Sequence, residues 1–137
     1  MSKEEISILQ FLYDIIEFIE DLQNEIVIMD YTEFTNNKMA IVFAERNFEK
    51  IGEAITQIQK RDSNILFIGN NNKSYWEIIK GMRNRIIYEY LGTSLETIYD
   101  MCVSGELIEL KEYIQIIIDY LKSKGSGIDF SISKKIN

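Results

Sequence analysis

The chain has 137 residues, 46% of them apolar, which places it in the size range of a single domain that buries its own core. Its formal net charge of −7 disfavours a general affinity for nucleic acid, and its apolar runs are too short to cross a membrane. It contains no histidine, which excludes imidazole metal sites and Ser/His or Cys/His nucleophile pairs, and no cofactor is indicated.

The first helix is predicted from Lys3 to Asp21, where polar residues recur at a spacing of three and four. The remaining faces of this helix form an apolar arc that is too wide for one neighbouring helix to cover. We therefore expect the helix to pack on two sides, with a dimer contact supplying the second side. The start, MSKEEISILQ, lacks the basic and apolar regions of a secretory signal. Since Cys102 is the one cysteine and cannot form an internal disulfide, we expect a cytoplasmic protein.

A second, long helix is predicted from about Lys38 to Lys60. No helical period holds between Leu22 and Asn37, but Asn36 and Asn37 are candidate N-caps for the helix that follows. The apolar seam of this helix consists of Ala44, Phe48, Ile51, Ile55 and Ile58. Its opposite side carries Arg46, Glu49, Lys50, Glu53 and Gln57.

The third helix is predicted to begin at Ser74, because Ser74 and Glu77 have the S-x-x-E spacing of a capping box. A polar connection, 62–73, precedes it and includes a short apolar insertion, ILFIG. Gly92 is placed to end the helix.

Two further helices complete the predicted bundle. Thr93 and Glu96 form another capping box before a short helix, and a last helix follows Gly105. The apolar positions of this last helix are Leu107, Leu110, Ile114, Ile117 and Leu121. We therefore predict an all-α bundle of about five helices, with one domain over 1–122 and a flexible tail over 123–137.

The segment Trp76 to Leu91, WEIIKGMRNRIIYEYL, is the most specific in the chain. It resembles the motif of HEPN proteins of the HepT type, which has the form W-x-x-I-x-G-M-R-N-R, then an apolar pair and H-x-Y. The matching residues are Trp76, Ile79, Gly81, Met82, Arg83, Asn84, Arg85, Ile86, Ile87 and Tyr90. The position of the family's histidine holds Tyr88. The segments AERNFEKIGEA (44–54) and SLETIYD (94–100) also resemble this family, so the similarity covers roughly 1–122.

The resemblance implies a homodimeric HEPN bundle that acts as the toxin half of a pair with a minimal nucleotidyltransferase antitoxin. The two motifs would meet at the dimer interface and form a metal-independent site for RNA cleavage. By the same resemblance, Arg83 and the residue at the histidine position, Tyr88, would carry catalysis. Tyr90 would be the residue to which the partner attaches adenylate.

Cleavage beside a ribose needs a base for the 2′-hydroxyl, an acid for the leaving oxygen and a cation for the phosphorane charge. Arg83 suits the last role because its planar fork holds phosphate, and Arg85, Lys80 and Asn84 would add phosphate contacts. The segment from Lys60 to Tyr90 has six basic and three acidic residues, which makes it an electropositive stretch of an acidic chain.

Several alternatives remain open at this point. Arg83 could instead form a structural ion pair with Glu49 or Glu53, and Tyr88 could be an aromatic residue of the interface. The chain would then be a nuclease-dead binding module that dimerises and docks its partner. Glu49 and Glu53 are spaced to share a metal ion but more often form a solvated face, and Cys102 is expected to be a small buried hydrophobe.

Overall fold

The computed structural model describes residues 1–81 and 95–126, and residues 82–94 and 127–137 lie outside the described part. Within the described ranges all regular structure is helical and no strand occurs, which confirms the all-α class. In chain order the elements are α1 (Lys3–Glu25), α2 (Tyr31–Thr35), α3 (Lys38–Arg61), a 3-10 helix (Ile65–Ile68), α4 (73–81), α5 (Leu95–Val103) and α6 (Glu106–Ser126).

Helix α1 begins at a capping box, in which the Ser2 hydroxyl accepts the Glu5 amide at 3.1 Å and the Glu5 carboxylate accepts the Ser2 amide at 3.0 Å. Its apolar faces pack on α3 and on α6. Ion pairs between Lys111 and Glu20 (3.4 Å) and between Lys124 and Glu5 (3.1 Å) show that α6 runs antiparallel to α1. The predicted two-sided packing is therefore confirmed, but the second neighbour is α6 of the same chain. The width of the apolar arc no longer argues for a dimer.

The segment from Leu22 to Asn37 is partly helical, although no helical period holds in its sequence. Helix α1 continues to Glu25, and α2 begins after Asp30, whose carboxylate accepts the Glu33 amide at 2.8 Å while the Glu33 carboxylate accepts the Asp30 amide at 3.2 Å. This D-x-x-E capping box stabilises a helix too short to show a period.

Helix α2 joins α5 to the body of the bundle. Its Phe34 is fully buried, and the Tyr99 ring of α5 contacts the rings of Phe34 and Tyr31 at centroid distances of 5.5 Å. The Tyr99 hydroxyl donates a hydrogen bond to the Met29 carbonyl at 2.6 Å. This bond fixes α5 against the α1–α2 connection.

Helix α3 is the central helix and agrees with the sequence prediction to within a residue. The Asn37 side chain accepts the Ala40 amide at 3.0 Å, which confirms Asn37 as its N-cap. All five residues of the predicted seam, Ala44, Phe48, Ile51, Ile55 and Ile58, have no exposed surface. The predicted apolar insertion forms the 3-10 helix, which adds Ile65 and Leu66 to the core.

Helix α6 closes the bundle, and its five predicted apolar positions are buried: Leu107, Leu110, Ile114, Ile117 and Leu121. It continues through Ser126, whereas the tail was predicted to begin at residue 123. The remaining residues of that predicted tail lie outside the described part. None of the described helices combines the length and the apolar character that crossing a membrane would require.

Candidate functional site

The motif begins on α4, and its first turn is capped by Asn72. The Asn72 side-chain oxygen accepts the amide of Ser74 at 2.9 Å and that of Tyr75 at 3.3 Å. The predicted N-cap at Ser74 is therefore wrong by two residues, and Ser74 lies within the first turn. An asparagine caps as well as a serine, but in a run of three asparagines the sequence does not indicate which one does so.

Trp76 anchors the motif in the bundle. Its side chain is 1% exposed, and the indole N–H donates a hydrogen bond to the Asn70 carbonyl at 2.8 Å. The Tyr75 ring lies edge-on between Trp76 and Tyr113 of α6, with centroid distances of 5.0 and 5.2 Å. Trp76 is thus a core residue, as predicted, and it ties the start of the motif to α6.

Lys80 is the member of the predicted phosphate-binding set that falls within the described residues. Its ammonium lies 3.4 Å from the Glu77 carboxylate, one turn earlier, and both side chains are substantially exposed. An ion pair in this setting contributes little stability and is readily exchanged for another anion. Next to it Ile79 is buried, whereas Ile78 is 58% exposed. Lys80 therefore lies at the surface, where a phosphate could reach it.

A small hollow of about 230 Å³ lies beside Trp76, between α4 and the end of α3. The other residues that line it are Gln59, Ser63, Phe67, Lys73 and Glu77. Its volume is below the roughly 300 Å³ at which small-molecule sites usually begin, so it does not indicate a separate ligand site.

The remaining predicted site residues lie outside the described part of the chain: Arg83, Asn84, Arg85, Tyr88 and Tyr90. The alternative ion pair of Arg83 with Glu49 or Glu53 and the helix end at Gly92 lie outside it as well. The roles assigned to these residues stay predictions.

Helix α3 contributes two buried polar residues that the sequence analysis did not identify. Glu45 is 9% exposed, and burial raises the pKa of its carboxyl group, with a further contribution from the negative charge of Glu49 one turn later. Asn47 is 4% exposed and donates a hydrogen bond to the Phe43 carbonyl at 2.8 Å. Each is adjacent in sequence to a residue of the apolar seam, and this adjacency could have predicted their burial.

The structure also bears on the possible metal pair, Glu49 and Glu53, and on the chemistry of Cys102. Over residues 1–81 and 95–126, no group of three or more acidic, cysteine or histidine side chains is placed to hold a metal ion. Cys102 is 2% exposed, and burial raises its pKa to about 12. It is therefore a neutral buried thiol, as predicted, and not a nucleophile.

The comparisons with known proteins identify the family. The model of the family described as ribonuclease HepT-like matches residues 14–117, a range that includes the whole motif. A protein of Methanocaldococcus jannaschii that is provisionally named an RNase is 33% identical over 118 residues, which cover 83% of this chain and 93% of that protein.

A second provisionally named RNase of the same organism is 32% identical over 118 residues, covering 83% of this chain and 89% of its own. A third, from Caldanaerobacter subterraneus subsp. tengcongensis, is 26% identical over 108 residues, or 79% of this chain and 91% of that protein. No solved structure matches the chain. The family match and the near full-length relatives agree with the helical bundle, and the chain belongs to the HepT-like ribonuclease family of the HEPN superfamily.

Proposed function

We propose that this protein is the toxin subunit of a two-component HEPN and minimal-nucleotidyltransferase system, and that it cleaves RNA without a metal ion. The observation that carries the proposal is the family match over 14–117, which spans the motif with Arg83 and Tyr90 in their family positions. The provisional RNase names of the relatives support the assignment of RNA cleavage. The reaction is attack of a ribose 2′-hydroxyl on the adjacent phosphorus, with loss of the 5′-oxygen of the next nucleotide.

Arg83 is assigned to the negative charge that develops on the phosphate oxygens during this attack. A guanidinium presents two parallel N–H donors to two phosphate oxygens and stays charged at every physiological pH. Asn84, Arg85 and Lys80 are assigned to neighbouring phosphates. The exposed position of Lys80 supports this assignment, because its pairing with Glu77 is weak enough to yield to a phosphate.

Tyr88 determines how fast such a site can work. A free tyrosine phenol has a pKa near 10, so only about one in a thousand is ionised at neutral pH, whereas a histidine is a ready base. Loss of general acid/base assistance usually lowers a rate by roughly 100-fold to 10,000-fold. We therefore expect slow cleavage.

The proposal includes a cytoplasmic homodimer whose two motifs form one composite site. It also includes a minimal nucleotidyltransferase partner that neutralises the toxin by attaching adenylate to Tyr90. A phenol seven residues after Arg83 would lie near the same face if the predicted helix extends that far, which suits a modification that blocks RNA binding.

A second candidate is a binding module without nuclease activity, which dimerises and docks the same partner. One specific observation favours it: Tyr88 stands at the position of the family's histidine, and the chain contains no histidine at all. In that case Arg83 would retain RNA or stabilise the bundle without any catalysis.

The two candidates separate when the chain is expressed alone, with Arg83→Ala and Lys122→Ala as variants. Lys122→Ala is the matched control, because it removes one exposed positive charge on α6, nine residues after Tyr113, which packs near the start of the motif. A nuclease arrests growth and degrades RNA in the wild-type chain and in Lys122→Ala, but not in Arg83→Ala. RNA decay that persists unchanged in Arg83→Ala refutes the nuclease assignment. No decay in any of the three favours the binding module.

A further inference from the structure

The solvent face of α3 changes character along its length. In the second half of the helix this face carries charged and polar residues such as Glu53 and Gln57, as expected for an amphipathic helix. In the first half it carries Met39, which is 83% exposed, and Val42, which is 38% exposed. Met39 is the most exposed large hydrophobic residue of the described ranges. An apolar stretch at this place on a helix indicates a contact that the single chain does not satisfy.

Met39 and Phe43 form a ridge between two surface hollows, which we call the Met39 ridge. The first hollow has a volume of about 440 Å³, and its other lining residues are Lys38, Val42 and Arg46. The second, of about 300 Å³, is lined in addition by Glu25, Ile26, Met29, Asn37 and Ala40. A protruding ridge with a depression on each side has the shape of a surface that interlocks with another of its own kind.

The two hollows carry opposite charges. Lys38 and Arg46 lie on the first, separated by eight residues and therefore about 12 Å along the helix. Glu25 lies on the second. All three side chains are exposed, and among the described residues none of them forms an ion pair. Their charges are therefore not neutralised within the described part of the chain.

We propose that the Met39 ridge is the contact between two copies of this chain, related by a two-fold axis near Met39 and Phe43. In such a contact the same surface meets itself, so residues on one side of the axis face those on the other. The basic hollow of one copy then covers the acidic hollow of the other, and each Met39 inserts into the opposite surface. This inference rests on the homodimer of the proposed function and names one contact within it.

The self-matching charge pattern favours a second copy over an unrelated protein. A partner that fitted only the basic hollow would leave Glu25 facing a desolvated apolar surface, whereas a second copy supplies both signs at once. The net charge of −7 makes two copies repel one another as a whole. Local pairing of Arg46 with the partner's Glu25 offsets this repulsion where the surfaces meet.

The first test measures the mass of the full chain by light scattering at micromolar concentration. We expect a dimer for the wild type and a monomer for Met39→Glu. Ile116→Glu on α6 is the matched control, since Ile116 is 45% exposed and lies away from the ridge, and it should remain a dimer. Circular dichroism establishes that each variant retains its helices, which separates loss of the contact from loss of the fold.

The second test reverses the charges. Arg46→Glu alone and Glu25→Arg alone should each weaken the dimer by roughly tenfold, because each places like charges together across the axis. The double variant restores opposite charges and should recover most of the affinity. If the dimer of the double variant is as weak as the two single effects added together, the pairing of Arg46 with Glu25 is contradicted.

A third test uses Met39→Cys, which places one thiol of each copy beside the proposed two-fold axis, whereas Cys102 is buried. A short bis-maleimide should link two copies through this residue, and Ile108→Cys on α6 should not be linked. A dimer that neither Met39→Glu nor charge reversal disturbs overturns the ridge contact and leaves the homodimer intact. A monomeric wild type overturns both, while the response of RNA decay to Arg83→Ala tests the nuclease assignment independently.

Discussion

Trp76 offers a quantitative test of how the motif is anchored, because its side chain has both packing and a hydrogen bond to lose. Trp76→Phe leaves a residual cavity of about 40 Å³, which costs about 1 kcal/mol. In the wild-type chain the Asn70 carbonyl accepts the indole N–H at 2.8 Å, and the substitution removes this donor. This carbonyl is partly buried, so leaving it without its donor costs about 1–2 kcal/mol, the lower part of the range for a buried group. Together the loss should be about 2–3 kcal/mol, and Trp76→Ala should lose about 3–5 kcal/mol.

The assay is urea unfolding followed by far-ultraviolet circular dichroism, since the variants lack the chain's one tryptophan. Tyr113→Phe serves as the control. Its hydroxyl donates a hydrogen bond to Glu109 at 2.6 Å within the same exposed helix surface, so its removal should cost less than about 0.5 kcal/mol. If Trp76→Phe costs no more than this control, the indole does not anchor α4 and the reasoning is refuted.

Three further predictions concern proton equilibria. Because burial raises the pKa of Glu45, its folded-state carboxyl favours the neutral form, and that stabilisation is lost as the pH rises through the folded pKa; Glu45→Gln should therefore raise the melting temperature at pH 7 and much less near pH 4. A backbone hydrogen bond from Ser2, followed by Lys124, lowers the pKa of Glu5 to about 2, so its contribution is present above the unfolded value of 4.5 and lost as the pH falls toward 2. Thermal melts of Glu5→Gln should accordingly show a flatter loss of stability over that acidic range, and a curve parallel to the wild type would contradict the shift. Tyr88→His should raise RNA cleavage by about 100-fold with an optimum near the imidazole pKa, and no gain at any pH would show that more than the base has been lost.

Periodicity and capping residues were sufficient to predict the long helices. The α3 seam, its N-cap at one of the two candidates Asn36 and Asn37, and the apolar positions of α6 follow from local rules that tertiary packing did not override. Helix α2 was missed because five residues are too few to show a period, although Asp30 and Glu33 marked its start.

Other features depend on neighbours that a pattern does not identify. The apolar arc of α1 predicts how many elements cover it but not which ones, so α6 was mistaken for a second copy of the chain. Likewise, Glu45 reads as part of a polar face until its burial is known. The motif itself was recognisable from Trp76 to Tyr90 because its residue types follow chemical demands on a site as well as packing.

The central claim is that Arg83 serves a metal-independent cleavage of RNA through the ribose 2′-hydroxyl. The most direct measurement is single-turnover cleavage of a single-stranded RNA by the purified chain in EDTA, beside the same strand with 2′-deoxyribose throughout. The account predicts slow cleavage that leaves a 2′,3′-cyclic phosphate, no cleavage of the deoxy strand, and a loss of about 100-fold or more in Arg83→Ala. Equal rates for the wild type and Arg83→Ala, or cleavage of the deoxy strand, would contradict it.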